Sequence, residues 1–213
     1  MSDYKLTAEA VGKTFGRRLI FKDINFSFEN NGTYGIAGHN GSGKSTLVKI
    51  ITGILGPSKG TISHISDGNK IPIEKLHDYI GFVAPYLVLY DEFSAEENLR
   101  HFAKIRGIDY DKERIDYLFN AFLLYDRRTD EVKAYSSGMK QRLKFIFALM
   151  HRPKLLVLDE PTSNLDTAGK DTVYRLVEAE STSSVVLIAS NEETDLALCR
   201  NVLQLENYKN NLK

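Results

Sequence analysis

The sequence predicts an α/β core interrupted by an all-helical insertion. Three observations carry that expectation. Residues 155–158 and 185–189 are continuous apolar runs, the pattern of parallel strands buried on both faces. Residues 94–150 carry apolar side chains at helical spacing. Between a short apolar run at 33–37 and a helix-like run at 47–51 lies Gly38-His39-Asn40-Gly41-Ser42-Gly43-Lys44-Ser45-Thr46, a glycine-rich loop where a strand hands over to a helix.

The elements follow in order. Residues 19–21 and 24–28 surround Lys22-Asp23 as two β-like runs, and the second alternates apolar and polar as a half-buried strand does. Asn30-Asn31-Gly32 reads as a turn before the strand at 33–37. Gly53, Gly56-Pro57 and Lys59-Gly60 punctuate a region of short strands, and residues 79–83 form a further strand. In the insertion, Leu99, Phe102 and Ile105 recur at steps of three, and Ile115, Leu118, Phe119 and Phe122 fit one helical face. Residues 143–150 are apolar nearly all round, as in a buried helix. Residues 167–180 are helical in pattern between the last two apolar runs. There is no repeat, low-complexity segment or linker.

The chain has 213 residues, enough for one large domain or one with an inserted subdomain. Lys plus Arg and Asp plus Glu both number 28, so the zero net charge gives no broad field for nucleic acid or anionic lipid. The single cysteine, Cys199, excludes an internal disulfide and suits a reducing, cytosolic setting as an inert buried thiol. The N-terminus lacks a basic-then-apolar leader, and no apolar stretch approaches a bilayer span. Service to a membrane would therefore run through a partner. His39, His64, His77, His101 and His151 show no metal spacing.

The glycine-rich loop matches G-x-x-x-x-G-K-[ST], a phosphate-binding pattern. Without a Cβ, glycine reaches the positive φ angles that turn successive N–H groups toward an anion. Gly38, Asn40, Gly41, Ser42, Gly43 and Thr46 thus form the expected cradle. Lys44 supplies a cation to the terminal phosphates, and Ser45 a hydroxyl to Mg²⁺. The run at 155–158 ends in Asp159-Glu160. A buried parallel strand delivers such residues to the carboxyl edge of its sheet, where α/β folds bind ligands. Asp159 is then placed to hold Mg²⁺ and Glu160 to act as general base toward water. Pro161-Thr162 ends the strand.

Three further segments resemble the ATP-binding cassette (ABC) family. Tyr135-Ser136-Ser137-Gly138-Met139-Lys140-Gln141-Arg142 resembles its LSGGQ-type signature. Ser163-Asn164-Leu165-Asp166 is similar to its D-loop, and Lys13-Thr14-Phe15-Gly16 to its adenine-stacking segment, with Phe15 as the aromatic. The resemblance covers nearly the whole chain. It implies a P-loop NTPase with a RecA-like core, an antiparallel β subdomain and an inserted α-helical subdomain: 1–84 and 154–213 for core and β subdomain, 85–153 for the helical part. It implies ATP and Mg²⁺ as cofactors, and a head-to-tail homodimer. In that dimer Ser136, Ser137 and Gly138, at a helix start, would close over ATP held by the other copy's loop, with Asp166 also among the nucleotide-binding residues. The implied function is an ATP-hydrolysing subunit that energises a separate integral membrane transporter subunit. It would be cytoplasmic and peripheral at the inner face of the membrane, without nucleic acid binding or insertion of its own. The compact size is most similar to small exporter-type cassettes, including the haem-exporter group.

The departures are specific. Pro85 stands where the family has a glutamine, and Asn191 where it has a histidine after the last central strand, so Asn191 is the expected γ-phosphate contact. Tyr86 is a candidate to substitute in part for the glutamine. Tyr135, Ser137 and Met139 replace leucine, glycine and glutamine of the signature. The aromatic segment 86–93 has two readings, docking of the membrane subunit or packing inside the helical part. Two other functions stay open: a dimerising, ATP-gated module with very weak hydrolysis, which Pro85 and Asn191 favour, and an ABC ATPase acting outside transport. The retained Glu160 argues against the first. The single motif set and zero net charge argue against the second.

Overall fold

The computed structural model describes residues 4–29 and 31–209. Asn30 of the expected turn lies outside the described residues. Two sheets organise the chain. Strands β1 (Tyr4–Phe15), β2 (Arg18–Glu29), β4 (Lys59–Ser66) and β5 (Asn69–Lys70) form an antiparallel sheet in the order β2-β1-β4-β5. Strands β3 (Gly32–Ala37), β6 (Ile80–Val83), β7 (Leu155–Asp159), β8 (Val185–Ser190) and β9 (Asn201–Gln204) form a parallel sheet in the order β6-β7-β8-β3-β9.

The two apolar runs are β7 and β8, paired in parallel from Leu155 opposite Val185 to Asp159 opposite Ala189. Their side chains divide by parity. Leu155, Val157, Val185 and Leu187 pack with the antiparallel sheet and helix α1 (Lys44–Ile51), while Leu156, Leu158, Val186 and Ile188 face the other way. A slip of one residue would exchange the two faces. Because both faces are covered, a run with no polar alternation is what the position demands.

The second face meets α3 (Ala95–Arg106), α4 (Lys112–Ala121), α5 (Ser137–Leu149) and α6 (Thr167–Ser181), and their buried residues join the strands' in one apolar cluster. Ser94 and Glu97 form a reciprocal capping box at the start of α3, and Asp111 caps α4. Ile115, Leu118, Phe119 and Phe122 are all buried, as their spacing predicts. Ile105 is exposed, because steps of three fall short of the 3.6-residue turn and drift off the buried face. Gly81 explains the closeness of β6 to α5: a Cβ there would lie 2.2 Å from the Ala148 carbonyl oxygen.

Several elements depart from the sequence expectation. The runs at 19–21 and 24–28 are one strand, β2, bent at Asp23, whose φ is 56°. Tyr79 ends the short helix α2 (Leu76–Tyr79), and the strand starts at Ile80. The long strand β1 extends far upstream of the Lys13–Gly16 segment, with Tyr4, Leu6 and Ala8 buried in alternation. Cys199 is half-buried and burial pushes its thiol up to about 12, so it stays protonated.

His64 on β4 ties the antiparallel sheet to helix α1. Tyr4 Oη lies 2.6 Å from its Nδ1, and its Nε2 lies 2.9 Å from the carbonyl oxygen of Ile51 at the end of α1. Burial lowers its pKa to about 4 from 6.5. The unfolded chain therefore binds a proton between these values that the folded chain refuses. Stability is present above pH 6.5 and falls as pH drops toward 4, by on the order of 2–3 kcal/mol from this group. Urea unfolding at pH 7 and pH 5 measures the loss, and it should be smaller in His64→Gln; an equal loss in both proteins contradicts the assignment.

Candidate active site

The parallel sheet delivers two loops to one edge. β3 ends at Ala37, and residues 38–43 turn directly into α1. The turn needs glycine at its last position: Gly43 has φ 110°, and a Cβ there would lie 2.7 Å from Ile20 Cγ2. The loop is tied internally by Ser42 N–H to His39 O at 3.0 Å. It is also tied from the far end of the chain, since His39 N–H donates to Glu206 Oε1 at 2.8 Å. That bond holds the Glu206 carboxyl below its usual range. Sequence reading missed Glu206, which lies far down the chain outside any motif.

Lys44 is only 5% exposed. Its Nζ donates to Gly38 O at 2.8 Å and pairs with Glu160 Oε1 at 2.9 Å. The two motifs, more than a hundred residues apart in sequence, thus meet in one ion pair. Asp159, the last residue of β7, is fully buried, and neither carboxylate oxygen has a hydrogen-bond partner. Burial raises its pKa, against the facing Ser45 hydroxyl and the ammonium groups of Lys44 and Lys49, which favour the carboxylate. The Ser42 hydroxyl in the phosphate loop is likewise buried without a partner.

Glu160 is held in the left-handed region at φ 48°, with its N–H donated to Ala189 O at 2.8 Å. A non-glycine residue in that region is strained, so the strand end is over-determined by its neighbours. One neighbour is a network that sequence reading also missed. Asp195, in the four-residue helix α7 (Glu193–Leu196), is buried and accepts from Ser190 Oγ at 2.7 Å, Thr162 Oγ1 at 3.0 Å and Tyr174 Oη at 2.9 Å. It joins the segment after Glu160 to the end of β8. Asn191 follows directly, exposed at the same edge.

The remaining expected residues stand elsewhere. Ser136 caps α5 by accepting from Met139 N–H at 3.2 Å, and Ser136 and Ser137 are exposed. Gly138 runs close to the D-loop segment: a Cβ there would lie 3.3 Å from Asn164 O. Asp166 caps α6 by accepting from Gly169 N–H at 2.8 Å. Phe15, half exposed, ends β1 with Lys13 Nζ 5.0 Å from its ring centre. Among the described residues, no hydrogen bond or ion pair joins Phe15, Ser136, Ser137, Gly138 or Asp166 to the phosphate loop.

Comparison with known proteins agrees with this geometry. Residues 21–163 match the family described as ABC transporter. This chain belongs to the ABC transporter family. The ABC transporter ATP-binding protein YdbJ of Bacillus subtilis is 36% identical over 90% of this chain and 62% of its own length. The lantibiotic transport ATP-binding protein SrtF of Streptococcus pyogenes is 32% identical over 87% of this chain and 79% of its own. The solved structure of an ABC transporter ATP-binding protein from Pyrococcus furiosus superimposes with a TM-score of 0.83 at 26% identity, covering 97% of this chain and all of that one. The fold is that of the family's P-loop ATPases, with a parallel sheet and an antiparallel β subdomain. The chain spans less than two thirds of YdbJ. None of these names supports the narrower likeness to the haem-exporter group.

Proposed function

We propose that this ABC family chain binds Mg²⁺-ATP at the sheet edge, hydrolyses it, and energises a separate membrane-spanning subunit of a transporter. The observation that carries the reading is the convergence of Lys44, Glu160 and Asp159 beside the glycine loop. The site's unmet demands fit the ligands. Ser42 Oγ, buried and unpartnered, and the free N–H groups at the start of α1 suit phosphate oxygens. The unpartnered Asp159 carboxylate, with the Ser45 hydroxyl facing it, is a hard-oxygen set suited to Mg²⁺. Among the described residues no cluster of three or more acidic, histidine or cysteine side chains could hold a metal, which matches an ion held by one carboxylate and the nucleotide's phosphates. Bound Mg²⁺ supplies charge neutralisation at the phosphates.

The chain's own groups then divide the work. Lys44 exchanges its carboxylate contact for a phosphate. Glu160, so released and held by its strained backbone, accepts a proton from the attacking water. Asn191 offers a neutral amide donor to the γ-phosphate. Ser136 and Ser137 lie exposed and Gly138 half-buried at a helix start, remote in bonding from their own loop, which favours a second copy of the chain as the one they serve, head to tail.

The aromatic segment favours docking of the membrane subunit over internal packing. Val88 is 91% exposed, and Tyr86, Tyr90 and Phe93 also expose much of their surface. Residues 87–90 wall a groove of about 670 Å³ whose other sides include Ile54, Ile73 and Ile105, all exposed apolar residues. No helix among the described residues is long and apolar enough to cross a membrane, so attachment at this groove would place the chain peripherally at the cytoplasmic face.

Glu160→Gln tests the reading. It should retain nucleotide binding, lose steady-state hydrolysis by about 10²-fold or more, and accumulate an ATP-dependent dimer on gel filtration with Mg²⁺. A variant that hydrolyses at the wild-type rate, or stays monomeric at saturating ATP, contradicts it. Asn191→His should raise kcat with little change in KM, because a charge-assisted donor is roughly twice as strong as a neutral one. An unchanged or lower kcat would mean that the site is built around asparagine.

A further inference from the structure

Tyr86 lies at the same sheet edge as Asp159. Val83 pairs with Leu158 in the register of β6 and β7, so the chain leaves β6 beside the strand end that carries the carboxylate. The exit is fixed from three sides. Pro85 restricts its own φ. Leu87 N–H donates to Ala84 O at 3.2 Å and closes a turn around residues 85 and 86. Lys144, a buried lysine of α5, donates from Nζ to Ala84 O at 3.2 Å and Pro85 O at 2.7 Å. The ring of Tyr86 rests on α1, with Lys49 Nζ 4.3 Å from its centre, one helical turn beyond Ser45, and it meets Phe82 edge-on at 6.2 Å. So placed, its hydroxyl faces the Asp159 carboxylate, as the Ser45 hydroxyl also does.

An ordinary phenol is a neutral O–H near pH 7, a donor and not an anionic ligand. A fully buried carboxylate whose two oxygens have no hydrogen-bond partner is thus faced by two neutral hydroxyls. Ser45 sits within the phosphate motif. Tyr86 sits outside every motif, beside the proline that replaces the family's glutamine.

We propose that Tyr86 is a positioning residue of the metal site: its hydroxyl orients the Asp159 carboxylate toward a Mg²⁺ ion carried by the nucleotide. This rests on the reading of the site as one for Mg²⁺-ATP. Groups that hydrogen-bond a metal ligand fix its direction, and their loss typically lowers metal affinity about 10–100-fold. The same loop continues as residues 87–90 into the wall of the apolar groove, so the hydroxyl and the groove share one short backbone segment held by Lys144.

The test uses the full chain, a non-hydrolysable ATP analogue, and Mn²⁺ in place of Mg²⁺. Calorimetry gives analogue affinity in EDTA and in Mn²⁺, and electron paramagnetic resonance reads the bound ion. In the wild type, Mn²⁺ should tighten binding. Tyr86→Phe, which removes one oxygen and keeps the ring on Lys49, should leave affinity in EDTA unchanged, cut the Mn²⁺-dependent gain about 10-fold, and alter the bound-ion spectrum. Tyr86→Gln, which restores a donor, should recover part of the gain. A Tyr86→Phe protein with the wild-type gain overturns the proposal, and so does one that loses affinity equally with and without metal. A wild-type protein with no Mn²⁺-dependent gain overturns the metal-site reading itself, a result distinct from both.

Discussion

The ion pair between Lys44 and Glu160 is the contact on which the arrangement of the site depends. It forms at the mouth of a sheet whose central strands are fully buried, and beside an Asp159 carboxylate that has no partner of its own. Removing charges from water costs several kcal/mol per ion unless each is paired and hydrogen-bonded. Lys44 meets that demand twice, through Glu160 and through the Gly38 carbonyl. Asp159 meets it only in part: the Lys44 and Lys49 ammonium groups favour its charge, but neither oxygen has a hydrogen-bond partner. A fold that places an unsatisfied carboxylate at the end of a fully buried strand carries a standing preference for a cation there, and the glycine loop beside it carries one for an anion.

The surrounding structure makes this edge rigid. Glu160 keeps a left-handed backbone because its N–H is bonded to Ala189 and the chain after it is tied through Thr162 to Asp195. Asp195 also takes the Ser190 hydroxyl, which in turn accepts from the Glu192 N–H at 3.1 Å. Ser190 Oγ lies 2.7 Å from Asp195 Oδ2 and 3.5 Å from Glu160 Oε2, and a hydroxyl has one proton to give. Asp195 therefore takes that hydrogen bond, and the Glu160 carboxylate keeps its oxygen free. On the other side, Glu206 holds His39 and so anchors the phosphate loop to the last described turn of the chain.

What could be read in the sequence and what could not follow from the range of the interactions. The loop 38–46, the strand ending in Asp159-Glu160 and the helix starting at Ser136 were legible because each is a local pattern, set by backbone geometry within a few residues. The parity of β7 and β8 was legible as burial on both faces, although which residue faced which layer was not. Strand β1 was not read as a strand: Tyr4, Leu6 and Ala8 alternate, but Gly12 and the shifted register between Glu9 and Gly12 interrupt the period. Asp195, Glu206 and Lys144 were not legible as site residues, and Tyr86 was legible only as a neighbour of Pro85 that could stand in for the glutamine. Each acts across a gap in sequence, through a contact that only the packed fold creates, and none belongs to a spacing pattern. Pro85 and Asn191 were visible as departures, and the turn that places Tyr86 against Asp159 gives the first of them a physical context.

The Lys44–Glu160 pair is the contact that a nucleotide's phosphates would displace. Calorimetric titration of ATP into the wild type and Lys44→Ala, with circular dichroism to confirm folding, tests it most directly. The wild type should bind saturably, and the variant should lose roughly 1.5–3 kcal/mol of affinity, ten-fold or more, the worth of a charge-assisted contact in a buried site. A folded Lys44→Ala protein that binds ATP as tightly as the wild type would contradict it.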